Sequence, residues 1–229
     1  IDTQKIPQLV REIATETNLE SHALNAFKLS MLNFDQALFY KTHESLLKEK
    51  TFQDIFYDVF IPFLTEIGLL WQTDTITPAH EHFISTLIRQ KILISTEKIQ
   101  SKQILKSDKT FILYLPDNEI HELGLMFLNH EIVRHGYRSI FLGPSVPMAS
   151  LLELKNYYED ITFVSYFTIK PEKENLVNYL NEFDDLILKT SKTKFWVLGR
   201  MINELDKDQF PKNIRAFNSI KTLTQELQD

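Results

Sequence analysis

Residues 110–124 read TFILYLPDNEIHELG, and where this stretch is divided decides the fold. The β-branched and aromatic run Thr110-Phe111-Ile112-Leu113-Tyr114 gives way to Pro-Asp-Asn, the mark of a strand reaching its C-terminal end. Leu123, Phe127, Leu128 and Ile132 then recur at helical spacing. The short connection between strand and helix carries His121, flanked by Glu119 and Glu122. In open sheets of parallel strands, ligands bind outside the carboxyl ends. His121 is therefore a candidate ligand-binding residue.

The same grammar continues from about residue 108. Short apolar strands at Phe111–Leu115, Ser139–Leu142, Ile161–Ser165 and Lys194–Leu198 alternate with helical segments near 120–135, 147–158 and 172–188. That alternation predicts βαβ units, hence a parallel sheet covered by helices on both faces. A last strand near Ile214–Phe217 and a helix from Ser219 complete a flavodoxin-like (Rossmann-type) five-stranded domain.

The first hundred residues read differently, with one glycine, Gly68, and three prolines, Pro7, Pro62 and Pro78. Their apolar positions recur at helical spacing: Ile6, Leu9, Val10 and Ile13, then Phe34, Ala37 and Leu38, then Ile55, Val59, Phe63, Ile67 and Leu70. Thr77-Pro78-Ala79 reads as an N-cap with proline at the first helical position, opening a helix through Phe83, Leu87, Ile88, Ile92 and Ile99. The expected fold class is α plus α/β. A four- or five-helix bundle spans 1–104 and the α/β domain 108–229, joined by the polar stretch Gln100–Lys109.

Bulk composition narrows the function. A net charge of −6 over 229 residues argues against this chain holding a nucleic-acid backbone by its own electrostatics. The absence of cysteine excludes disulfides, thiolate metal sites and cysteine nucleophiles. No apolar run approaches the roughly 20 residues that span a bilayer, and no signal peptide is present, so no membrane and a cytoplasmic location are expected. The chain opens on Ile1 rather than Met, so the expectation is a piece of a longer protein.

Glu119 lies two positions before His121, near enough for its carboxylate to hold one ring nitrogen and leave the other as a neutral metal ligand. No second catalytic group stands nearby, which favours a ligand over a general base. Gly124, three positions on, would let a flat ligand or its tail approach the helix. Gly143-Pro144-Ser145, Ser165 and Gly199 fall at other strand ends on the same sheet edge, a pocket expectation. Trp71, which ends one bundle helix, and Glu81-His82, which open the next, have two readings: a plug with a helix-dipole acid, or an aromatic cap with two polar groups over a planar ligand. His80 and His82 are two apart and point away from each other, and His130 and His135 are expected to be solvated.

Glu119-x-His121-x-x-Gly124, then Ser165 with Phe167, then Gly199, resembles the cobalamin-binding signature D-x-H-x-x-G, S-x-L, G-G. Trp71 with Glu81-His82 resembles the bundle motif of the light-sensing CarH-type repressors of the MerR class. The resemblance implies that His121 binds cobalt from below and that the nucleotide tail threads beside Gly124, Ser165 and Gly199. It implies that Trp71, Glu81 and His82 cover the upper face of adenosylcobalamin, preferred to methylcobalamin. It also implies a non-enzymatic effector module that self-associates as a dimer or tetramer and meets DNA through a separate domain. Two alternatives share the bundle and the histidine: a corrinoid protein of a methyltransferase system, and a degenerate module without cofactor. The sequence departs from the signature in Glu119 for aspartate, Phe167 for leucine, and Leu198 or Arg200 at the double glycine. Gln72 stands where light-responsive members carry a histidine.

Overall fold

The structure, a computed structural model, describes residues 19–73, 75–102, 104–189, 192–206 and 210–228. The expected helix through Ile6, Leu9, Val10 and Ile13 lies outside them. Two compact units divide between Lys91 and Ile92. That division falls inside a helix rather than in the polar stretch Gln100–Lys109.

The first unit is helical: α1 (Leu19–Asn33), α2 (Gln36–Leu46), α3 (Phe52–Ile55), α4 (Ile61–Gln72) and the start of α5 (Pro78–Gln100). Asp35 caps α2, its carboxylate accepting the Leu38 amide at 2.9 Å. Between α3 and α4 runs a π-helical turn, Phe56–Phe60. The Ile61 amide there bonds the Phe56 carbonyl five residues back, just before Pro62, which has no N–H to continue the ladder. Aromatic rings fill the core: Phe27 lies 4.9 Å from Phe39 and 5.5 Å from Phe60 by ring centroids. α5 begins at Pro78 as its sequence predicts. His80 is turned inward there, its Nδ1 accepting the Thr77 amide at 3.2 Å, with Phe34 stacked on its ring.

The second unit carries strands β1 (Thr110–Tyr114), β2 (Arg138–Gly143), β3 (Ile161–Tyr166), β4 (Lys194–Leu198) and β5 (Ile214–Ala216). They form one sheet in the order β2-β1-β3-β4-β5, and every pairing is parallel. Helices α6 (Leu123–Arg134), α7 (Met148–Leu152), α8 (Lys173–Phe183), α9 (Arg200–Asn203) and α10 (Ile220–Gln225) connect them. The predicted strands are all present, shifted by a residue or two at their ends.

One sheet face buries Ile112, Tyr114, Phe163, Phe195 and Val197 against Leu176, Leu180 and Phe183 of α8. Phe183 and Phe195 stack at 4.0 Å between ring centroids. On the opposite face Trp196 packs on Phe111 and Phe217. Strand order reverses between β1 and β3, whose loops thus flank the position where such sheets bind ligands.

One expectation on α6 fails. His130 is not solvated but 1 % exposed, stacked on Phe127. Burial, with the Arg134 charge adding to it, pushes its pKa down to about 4. His130 is a packing residue held neutral. His135 is half-buried and bonds the Glu131 carbonyl through Nδ1 at 2.8 Å.

Candidate functional site

The strongest local feature lies at the switch point. Glu119 is fully buried at the end of the β1–α6 loop. Its Oε1 accepts the amides of Ile120 and His121, each at 3.0 Å, and stands 2.6 Å from His121 Nδ1. Its Oε2 accepts three further amides from the loop after β3: Thr168 at 3.1 Å, Ile169 at 2.7 Å and Lys170 at 2.9 Å. One carboxylate therefore ties two loops together across the switch point. Burial disfavours its charge, but the His121 ring and the amides of Lys170, Ile169 and His121 outweigh that and hold its pKa down at about 2.

An ionised Glu119 fixes the imidazole tautomer. His121 Nδ1 carries the proton and donates it to the carboxylate, so Nε2 carries the lone pair. The His121 side chain is 46 % exposed. Among the described residues no three His, Cys, Asp or Glu side chains converge as a bare ion would require. What the site offers is one imidazole whose orientation is fixed by a buried carboxylate.

The β2 loop braces this arrangement. Gly143 takes φ +83°, which a side chain would strain, and Ser145 sits at φ +54°. The Ser145 hydroxyl accepts the Asn118 amide at 3.1 Å, and the Ser145 amide bonds the Glu119 carbonyl at 3.3 Å. Gly143 and Ser145 thus support the His121 loop from β2. Two residues that sequence reasoning missed, Ile120 and Ile169, are 64 % and 50 % exposed. Glu119 holds the backbone amides of both, so each exposed apolar residue sits on a loop tied to the carboxylate that holds His121. Ile120, directly before His121, was the available signal, whereas Ile169 lies far along the chain and gave none.

The remaining candidates do not share one channel. Strand residues alternate between faces, so Ser165 projects with Phe163 into the α8 side, while Tyr166 projects toward α6. A Cβ at Gly124 would meet the Tyr166 ring at 2.9 Å, so that ring already covers the glycine. Phe167 is fully buried in the core against Tyr179 and Phe195. Gly199, at φ +116°, leaves room for the Phe167 backbone, whose oxygen would lie 2.3 Å from an added Cβ. Arg200 turns outward to Glu204, and Leu198 is buried. The structure does not bring Gly124, Ser165 and Gly199, the expected tail contacts, to one channel: the strand period puts Ser165 on the α8 side and Tyr166 on the side of Gly124.

Ser165 Oγ is buried with no hydrogen-bond partner among the described residues. Ser165→Ala removes a desolvated hydroxyl and is expected to raise stability by about 1 kcal/mol, read from the urea midpoint. A loss of stability would mean that the hydroxyl has a partner.

In the helical unit, Trp71 is 54 % exposed rather than packed away in the core. Glu81 accepts from the Ser85 hydroxyl at 2.6 Å and pairs with His82 Nδ1 at 2.7 Å. His82 is exposed where His80 is buried, as their spacing requires.

Known proteins resemble parts of this chain. Residues 23–94 match the family described as B12 binding domain. The HTH-type transcriptional repressor CarH of Myxococcus xanthus is 27% identical over 96 residues, 42% of this chain and 31% of that protein. Less than a third of that relative's length is thus spanned. The methanol:cobalamin methyltransferase complex MtaBC of Methanosarcina barkeri aligns at 14% identity over 89% of this chain and 77% of that one, with a TM-score of 0.42, too distant to argue from. The monomethylamine corrinoid protein of Methanosarcina barkeri superposes with a TM-score of 0.71 at 12% identity, over 88% of this chain and 95% of that one. The helical region carries the B12-binding-domain match, and helices followed by a five-stranded parallel sheet are the fold of that corrinoid protein.

Proposed function

We propose that this chain is the cobalamin-binding sensory module of a MerR-type transcriptional regulator, cytoplasmic and not itself an enzyme. The observation that carries the reading is the His121–Glu119 pair at the switch point: a carboxylate that six donors keep ionised fixes the imidazole for ligation through Nε2. The residues fit a corrinoid ring, since the exposed Ile120 and Ile169 offer apolar surface on the two loops that Glu119 ties together.

When bound, adenosylcobalamin supplies a cobalt–carbon bond that light can break. The chain's part is to hold and orient. His121 would hold the cobalt, Glu119 is its positioning residue, and Gly143 with Ser145 brace the loop. Trp71, Glu81 and His82 recognise the upper group, with the exposed indole and the Glu81–His82 pair as their supporting features. A change in that group alters self-association, dimer or tetramer, only if the two assembly states contact it differently. DNA is met through a domain outside these residues. With Gln72 after Trp71, a second histidine ligand after illumination is not expected at that position.

A second reading, a corrinoid carrier serving a methyltransferase, draws on the 0.71 superposition. The exposed Trp71 together with the Glu81–His82 pair favours the sensor, because a methyl carrier has little use for groups that recognise adenosyl.

The test is a dark titration with adenosylcobalamin, followed by visible spectrum and elution volume, then illumination. His121→Ala is expected to weaken binding by about tenfold or more and to lose the histidine-ligated spectrum. Light is expected to change the elution volume. Equal binding of methylcobalamin with no change of assembly favours the carrier. Binding of neither overturns both.

A further inference from the structure

The His121 half of the site is built to receive a corrinoid ring, but the half beneath it is closed. Gly124 is the residue whose missing side chain would admit a nucleotide tail, and the Tyr166 ring already lies on it, with Cε2 2.9 Å and Cζ 3.1 Å from where a Cβ would stand. Burial raises the Tyr166 phenol above its ordinary pKa, as expected for a ring inside protein rather than water. On the other side of β3, the lone hydroxyl of Ser165 faces the α8 core. The Phe167 backbone fills the space that Gly199 leaves.

We propose that Tyr166 plugs the tail groove, so that this site takes a corrinoid lacking its lower nucleotide in preference to complete cobalamin. The inference rests on the corrinoid reading above and narrows its ligand class. A complete cobalamin has to swing the Tyr166 ring out of its contact with α6 before its tail can enter, or leave the tail in solvent. Either event subtracts from affinity. A tail-less corrinoid meets His121, Ile120 and Ile169 without that displacement. Its cobalt also lacks an internal base competing with His121 for the lower position.

The experiment compares adenosylcobinamide, which has no nucleotide, with adenosylcobalamin, on the whole chain in the dark, by titration with visible-spectrum readout. Wild type is expected to bind the cobinamide tighter by about tenfold or more, the scale of displacing a packed ring. Tyr166→Ala is expected to tighten cobalamin by a similar factor and leave cobinamide within about threefold. Tyr166→Phe keeps the ring and should keep the wild-type preference; this variant and the wild-type ratio decide the matter if the alanine variant does not fold. Cobalamin binding as tightly as cobinamide to wild type overturns the proposal, and so does a preference unmoved by Tyr166→Ala. If neither corrinoid binds, the corrinoid reading itself has failed, a separate outcome.

Discussion

Gly199→Ala is expected to destabilise the α/β unit by about 4 kcal/mol, the range reached when strain and a steric clash combine. Two independent causes act at this residue. Its φ of +116° lies where an L side chain is strained. An added Cβ would also stand 2.3 Å from the Phe167 carbonyl oxygen and 2.7 Å from its nitrogen, and neither is a flexible group that can turn aside. Relief means separating the ends of β3 and β4, which breaks the bond from the Phe167 amide to the Leu198 carbonyl at 2.8 Å and that from Met201 to Phe167 at 3.2 Å. The urea midpoint measures it. A loss under about 1 kcal/mol would mean that the two strand ends are not held this close.

Glu119→Ala is expected to cost about 3 kcal/mol at neutral pH. Five amides and an imidazole lose their acceptor, and three of the amides belong to a different loop. The folded-state pKa of about 2 lies below the ordinary 4.5, so the charged form contributes fully above about pH 4.5. That contribution is withdrawn as pH falls toward about 2, and a shift of this size corresponds to about 3 kcal/mol. Stability measured against pH should therefore show the wild type and the variant drawing together across that window. Parallel curves would mean that Glu119 is not ionised in the fold. Glu119→Asp should be intermediate: a side chain one methylene shorter holds the imidazole or the amides of Thr168, Ile169 and Lys170, but not both.

The sheet was legible because its strands are short apolar runs separated by amphipathic helices, and buried parallel strands write themselves that way. The His121–Glu119 pair was legible because both partners lie within two residues. What escaped was everything that depends on a face. Ser165 and Tyr166 differ by one position, and in a strand one position is the difference between the α8 side and the α6 side. The serine looked like the tail contact by its chemistry, while the residue that reaches Gly124 is the tyrosine beside it. His130 escaped for the converse reason. Nothing local distinguishes it from a solvated helix histidine, and its burial comes from distant chain, with Thr96 Oγ1 at 3.4 Å from its Nδ1. Trp71 left two readings open, and its exposure, which no local pattern announces, is what bears on them.

Cobalt is the direct witness for the axial bond. Protein labelled with ¹⁵N-histidine is loaded with cobalamin, reduced to the cobalt(II) state, and its electron paramagnetic resonance spectrum is compared with that of unlabelled protein. If His121 Nε2 is the lower ligand, each cobalt line changes from a nitrogen-14 triplet to a nitrogen-15 doublet. A triplet that survives labelling would leave the cofactor's own base on the metal, and the account of this site would be wrong.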